Sequence, residues 1–458
     1  HSHTVMTKGE KGEPIQSTGT AFKNIGVIVI DDASKKIESN SLYEIKEDTA
    51  KDATVAAAAK VIVDRVNNEY GTKFATSKVE LNGAKAPNGN RDVETNNGDL
   101  ITDAMRWKVL QNKDGLTVNE DHVVAITNGG GIRAAIAKGD VTKKDINTVL
   151  PFGNTVAVVY VTGEQLLEAL EASTFSTPTA VGGFPQVSGI NFTIHTGKAY
   201  DKNDATYPES TYYGPKTINR VVINSVNGKE FKANEVYAVV TNNFCAAGGD
   251  TYYAFKAASA QFDTGIPLDE AVMEYVTKEL KGVIGEQYAA PQGRILLNPF
   301  KDVKVSSWFG KYVIDLYNDG IINGTSATTY APNDTLTWAA ALKLLLVSHG
   351  DLKAADATGA DWSKNTIAKA AELGLVAADL DGAKAISRLE FCQVAAKLNK
   401  LAESKTESKF TDCTDGYVMA LVDAKVINGM TETTFEPSAT LTRAQIAKII
   451  YQLNLIEK

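Results

Sequence analysis

An amide and a guanidinium flank three glycines in Asn128-Gly129-Gly130-Gly131-Ile132-Arg133. The planar fork of a guanidinium suits bidentate contact with phosphate. Consecutive glycines let a backbone take positive φ and approach a ligand closely. The run before them, Val123-Val124-Ala125-Ile126, has the pattern of a short buried strand, so the turn would sit at a strand end. Other chemistry-bearing groups are spread along the chain: Arg91 upstream, and Phe152, Phe244 and Asp250 downstream. Two cationic forks suit a dianion, aromatic faces stack planar rings, and a carboxylate accepts from two vicinal hydroxyls. Taken singly, the glycine run also reads as an ordinary turn, and the two phenylalanines as ordinary core residues.

The order of the blocks is more specific. Arg91 precedes Glu94-Thr95-Asn96-Asn97-Gly98-Asp99-Leu100-Ile101. The glycine turn is followed by Leu150-Pro151-Phe152-Gly153-Asn154, then Phe184-Pro185-Gln186-Val187-Ser188-Gly189, then Asn242-Asn243-Phe244-Cys245-Ala246-Ala247-Gly248-Gly249-Asp250. Residues 75–299 thereby resemble the C-terminal, substrate-binding domain of the 5′-nucleotidase family. The resemblance implies that Arg91 and Arg133 clamp a substrate phosphate with Asn128 beside them, that Phe152 and Phe244 sandwich a nucleobase, and that Asp250 takes the ribose hydroxyls. The sequence departs from the family at Thr251, where glycine is usual, which puts in doubt how freely the Asp250 loop can approach a ligand.

Residues 1–46, with strands expected near 26–31 and 42–45, look like the tail of the metallophosphoesterase domain that precedes the substrate domain in this family. The resemblance implies that His1 and His3 are the last ligands of a site for two divalent metal ions. A tag remnant is the alternative. His122, His195 and His349 lie in no comparable ligand context, so the metal site is incomplete in this chain. The chain starts at His1 rather than Met, which reads as a fragment or a processed product. In residues 47–74, Val55, Ala58, Ala59, Ile62, Val63 and Val66 fall at helical spacing before Gly71. This is a linking, hinge-like helix by resemblance, or equally a core helix of the next domain.

Residues 300–458 repeat themselves. Phe300-Lys301-Asp302, Gly324, Tyr330-Ala331-Pro332 and Leu336-Thr337-Trp338-Ala339 return as Phe410-Thr411-Asp412, Gly429, Phe435-Glu436-Pro437 and Leu441-Thr442-Arg443-Ala444. Gly324 to Thr337 and Gly429 to Thr442 are both thirteen residues. A weaker copy includes Trp362, Gly374 and Ile386-Ser387-Arg388. Such units bury their apolar faces on one another. They resemble three S-layer homology repeats, at 300–349, 356–399 and 408–458. The resemblance implies attachment to an anionic cell-wall polymer through Arg388 and Arg443. Trp338 stands where the first repeat should have Arg; either it stacks on a sugar ring instead or the groove of that repeat is degenerate.

Composition sets the outer limits. With 458 residues the chain holds two to four domains, and a net charge of −8 argues against nucleic acid as a partner. No apolar run is long enough to span a membrane. Cys245, Cys392 and Cys413 form neither a disulfide framework nor a zinc site and read as small buried residues. The expected architecture is an α+β or α/β nucleotidase C-terminal domain followed by an all-α module of three repeats. By resemblance the function is that of a secreted 5′-nucleotidase-type phosphohydrolase held at a bacterial cell wall or S-layer. Its partners would be a nucleotide or nucleoside monophosphate and the wall polymer. The alternatives are a non-catalytic nucleotide-binding protein at the wall and a structural S-layer component.

Overall fold

The computed structural model describes residues 4–456, in two units that meet between Thr72 and Lys73. In the first, antiparallel hairpins pair Val5–Lys8 with Pro14–Thr18 and Asn24–Ile30 with Ile37–Glu44, so both expected strands are present. Asn40 ties the hairpins together: its amide donates to the Thr7 carbonyl at 2.9 Å and accepts from Gln16 at 2.8 Å. The expected helix runs Ala53–Tyr70, started by Asp52, whose carboxylate accepts from the Val55 N–H at 2.9 Å. Gly71 ends it at φ −76°, so the stop is not a left-handed glycine cap. Val55, Ile62, Val63 and Val66 are exposed, and the helix buries no residue. The apolar stripe expected of this helix is present and exposed.

In the second unit, Val123–Asn128 is buried along its whole length. It lies in a five-stranded sheet of spatial order Ala260–Pro267, Thr155–Thr162, Val236–Asn242, Val123–Asn128, Pro185–Ser188. The Val123 and Val236 strands are parallel and the other pairs antiparallel. Successive side chains leave a strand on opposite faces. Val123 and Ala125 thus pack with Leu100, Ala104 and Met105 of the helix Asn96–Leu110, while Val124 and Ile126 pack with Leu166, Ala169 and Leu170 of the helix Gly163–Ser173. Hydroxyls fix where both helices begin. Thr95 accepts from the Gly98 N–H at 3.1 Å, and Thr162 exchanges a reciprocal pair of bonds with Gln165. The domain is mixed α/β. Cys245, Cys392 and Cys413 are free and buried.

The Glu94–Ile101 block is a structural knot. Glu94 accepts from the backbone N–H groups of Gln292 and Ile295, both at 2.7 Å, and Asn96 donates to the carbonyls of Glu80 and Tyr288. Burial first, and then the neighbouring Glu94 carboxylate, push the Asp99 carboxyl up, opposed by the charge of Arg294.

From Phe300 onward the described residues form three helix pairs around one core: Gly310–Asn318 with Trp338–His349, Trp362–Glu372 with Arg388–Leu398, and Gly416–Asp423 with Arg443–Ile456. Strand-like pairing there is limited to isolated bridges such as Thr335 with Thr442. Thr337, Ser387 and Thr442 cap the second helix of each pair. The caps pass contacts round a ring. The Trp338 N–H donates to Lys384 at 2.9 Å, the Arg388 N–H to Ala439 at 2.8 Å, and the Arg443 N–H to Asp334 at 2.8 Å. Asp302 and Asp412 explain the repeated Phe-x-Asp: each accepts two backbone N–H groups, from Tyr330 and Ala331 or from Phe435 and Glu436.

The α/β domain and the helical region join without a linker. Asn318 brackets Leu297, accepting from its N–H at 2.9 Å and donating to its carbonyl at 3.0 Å. Asn298, wholly buried, donates to His195 Nδ1 at 3.0 Å and to the Val303 carbonyl at 2.8 Å. Burial holds His195 down at about 4, so it stays a neutral acceptor.

His122 has a different setting. It lies between Asp121 at 2.8 Å and Glu235 at 2.6 Å, and stacks on Tyr237. The Glu235 hydrogen bond, above all, raises the imidazole. A raised folded-state value gives stability that is full below the unfolded value, about 6.5, and fades as pH rises through the folded one. The carboxylates are lowered, so their share is lost on acidification instead. Urea melts of wild type and His122→Gln are expected to differ most near pH 6 and to converge at alkaline pH; a gap independent of pH would contradict this.

Candidate functional site

Two parallel strands end side by side, Val123–Asn128 and Val236–Asn242, and their last residues bond to each other. Asn242 donates to Asn128 Oδ1 at 3.1 Å and to Thr127 Oγ1 at 3.0 Å, while its own Oδ1 accepts from the Cys245 N–H. Ligands of α/β sheets favour this carboxyl end of the strands. With Asn128 so oriented, its Nδ2 donates to Asp250 Oδ2 at 2.9 Å. Burial pushes the Asp250 carboxyl up, opposed by the Asn128 bond and by the charge of Arg91. Arg91 is lowered by burial first and then by repulsion from Arg133. Arg91, Arg133, Asn128 and Asp250 are therefore brought together, with an excess of positive charge that suits a dianion.

Arg133 is exposed, donates to the Gly130 carbonyl at 3.1 Å and lies 5.5 Å from the centroid of the Phe152 ring. Phe152 and Phe244 are 59% and 44% exposed, which rules out their reading as core aromatics. Their segments are tied where Asn243 Oδ1 accepts from the Thr155 N–H at 3.3 Å.

The glycine triplet does not work as expected. None of Gly129, Gly130 and Gly131 has positive φ; they form a single tight turn. Their lack of a Cβ serves packing instead. A Cβ on Gly129 would lie 1.6 Å from the Asn90 carbonyl, and one on Gly130 would lie 2.9 Å from that of Gly182. The turn can thus press against the segment carrying Arg91 and against the turn at Gly182, which itself abuts Asp250. Thr251 imposes no strain, because the positive φ values fall on Gly248 (87°) and Asp250 (51°).

A cleft of about 450 Å³ opens beside Phe244 and Asp250 and is also lined by Glu209, Tyr212 and Tyr253. No motif in the sequence marks the 200–217 segment. The one available signal was its tyrosines, four among residues 200–213 of a polar stretch.

The three residues expected at the wall polymer are engaged by protein. Arg388 is 7% exposed, donates to the Asn428 carbonyl at 2.7 Å and lies over the Phe435 ring. Arg443 donates to the carbonyls of Tyr330 and Asn323 and lies over the Tyr330 ring. Trp338 is 9% exposed within the core, so the expectation that its face is free for a sugar is corrected. His1 and His3 lie outside the described residues. Among the described residues, no three His, Cys, Asp or Glu side chains are grouped to hold a metal, and no helix is long and apolar enough to cross a membrane.

Residues 73–257 match the family described as 5′-nucleotidase, C-terminal domain, and residues 299–341 and 412–447 match the S-layer homology domain. The chain thus carries a 5′-nucleotidase C-terminal domain, followed by S-layer homology domains. All six expected substrate residues fall inside the 5′-nucleotidase C-terminal domain. Trp338 and Arg443 fall inside the S-layer homology matches, whereas Arg388 lies between them. The S-layer homology domains indicate association with a bacterial cell surface. The chain is 33% identical over 316 residues to the trifunctional nucleotide phosphoesterase protein of Bacillus subtilis, covering 64% of this chain and 19% of that one. It is 28% identical over 269 residues to the 5′-nucleotidase of Vibrio cholerae, covering 57% and 41%. A solved 5′-nucleotidase precursor from Thermus thermophilus is 29% identical with a TM-score of 0.44, covering 64% of this chain and 54% of that one. The chain spans only part of the length of each.

Proposed function

We propose that this chain is the nucleotide-binding and wall-attaching part of a surface-anchored 5′-nucleotidase-type phosphohydrolase. The observation that carries the reading is the convergence of Arg91, Arg133, Asn128 and Asp250 beside two exposed phenylalanine rings. Arg91 and Arg133 neutralise the phosphate, Phe152 and Phe244 take the base, and Asp250, oriented by Asn128, accepts from the ribose hydroxyls. Stacking is tolerant of base identity, so the site favours nucleotides as a class. Two divalent metal ions would supply the activated water of such a hydrolase, with His1 and His3 among their ligands. The described residues do not form that centre, and this chain's own contribution is to bind and orient the phosphate ester. The helical region attaches the protein to an anionic wall polymer outside the cell.

Two measurements on the full chain test the reading. Calorimetry is expected to show AMP binding at low salt that weakens as ionic strength rises; absence of binding would end the nucleotide half. The chain is also expected to sediment with purified cell walls and to stay in the supernatant with walls stripped of anionic polymer. Equal recovery in both would end the anchoring half.

A further inference from the structure

The polar excursion at 200–217 takes no part in the roles assigned above. It contains a short hairpin, Lys202–Thr206 with Tyr213–Pro215, and the turn of that hairpin brings Tyr212 to the wall of the cleft of about 450 Å³ that Phe244 and Asp250 also line. A space of that size is ordinary for a small-molecule site, where about 300–1,000 Å³ is usual.

The excursion is fastened. Ser210 Oγ accepts from the Tyr212 N–H at 3.1 Å, and the Tyr212 carbonyl accepts from the Tyr207 N–H at 2.8 Å. Phe175 packs edge-on to the Tyr212 ring with centroids 6.1 Å apart. Tyr207 stacks on Tyr253 at 4.7 Å and donates to Glu168, which secures the excursion to the helix Gly163–Ser173. Tyr212 is thus a fixed part of the cleft wall. Its hydroxyl makes no hydrogen bond among the described residues, although the ring is half-buried. Burial, and then the nearby Asp250 charge, push that phenol up, so it stays protonated and able to donate. A phenol and a carboxylate thus line one cleft without bonding each other, which leaves both available to a ligand hydroxyl.

We propose that Tyr212 is a specificity-determining residue which, with Asp250, reads the hydroxyl edge of the ribose and selects ribonucleotides over deoxyribonucleotides. This rests on the nucleotide reading of the site given above. A ribose hydroxyl donates to Asp250 and accepts from Tyr212; a deoxy sugar leaves both protein groups unpaired, the form of rejection that discriminates most strongly.

The test is calorimetric titration of the full chain with AMP, 2′-deoxy-AMP and 3′-deoxy-AMP, for wild type and Tyr212→Phe. Wild type is expected to prefer AMP over at least one deoxy analogue. Tyr212→Phe keeps the ring against Phe175 and is expected to reduce that preference roughly five- to tenfold, through weaker AMP binding and unchanged binding of the analogue. An unchanged thermal midpoint excludes a folding defect. If wild type fails to bind AMP, the nucleotide reading falls and this inference with it. If wild type binds AMP and Tyr212→Phe keeps the wild-type preference, only the role of Tyr212 is overturned.

Discussion

Arg91→Ala is expected to weaken AMP binding by about 2–3 kcal/mol, or roughly 30- to 150-fold, while leaving adenosine binding nearly unchanged. The magnitude follows from the surroundings. Arg91 is half-buried, and burial is the first cause of its lowered affinity for the proton. A guanidinium already stripped of much of its water gives up little more on meeting a phosphate, and its charge is poorly screened. Arg133 is exposed and lies over the Phe152 ring, so Arg133→Ala should act in the same direction by a smaller factor. Losing Arg133 also removes a repulsion on Arg91, which offsets part of the effect. Equal losses for AMP and adenosine in either variant would show that the arginine does not meet phosphate. Raising the salt should erode the Arg133 contribution before that of Arg91.

Arg220→Ala is expected to destabilise the 5′-nucleotidase C-terminal domain by about 3–5 kcal/mol, read as a fall in urea midpoint at constant slope. Arg220 is 2% exposed and its guanidinium is engaged by backbone carbonyls, so the effect belongs to folding. Its fork donates to the carbonyls of Thr174 and Thr177 at 2.6 and 2.5 Å. Its backbone N–H and that of Val221 donate to the Glu171 carboxylate at 3.0 and 2.8 Å. Truncation strands two buried carbonyls, opens a cavity and leaves Glu171 without its compensating charge. Arg220→Lys should recover little, because one ammonium cannot span both carbonyls as the fork does. A loss below about 1 kcal/mol for the alanine variant would contradict the idea that this cluster holds the C-terminal end of the helix Gly163–Ser173 to the strand Val221–Val226.

The sequence alone determined whatever depends on neighbours along the chain. The apolar run Val123–Ile126 read as a buried strand because strand side chains and burial are set within a few residues. Thr337, Ser387 and Thr442 recur in the repeated blocks, and each caps a helix locally, because a cap bonds to an N–H three residues away. The repeated Phe-x-Asp and aromatic-x-Pro pieces were visible as spacing, and the ordered blocks from Arg91 to Asp250 could be set beside a known family. Tertiary structure decided what depends on residues distant in the chain. Glycine at 129 and 130 was read as freedom for a ligand, yet it is required by the carbonyls of Asn90 and Gly182, some forty to fifty residues away. Trp338 and Arg388 looked like surface recognition residues, yet ring closure of the helix pairs places them against the neighbouring pair. The stripe on Ala53–Tyr70 has the spacing of a buried face and is exposed, because periodicity shows which residues share a face and not whether anything covers it. Tyr212 meets Asp250 across a cleft only because a hairpin far from both strand ends is fastened to Phe175 and Glu168. Short-range periodicity and capping carry no information about such long-range contacts, so the identities of the site residues were readable and their neighbours were not.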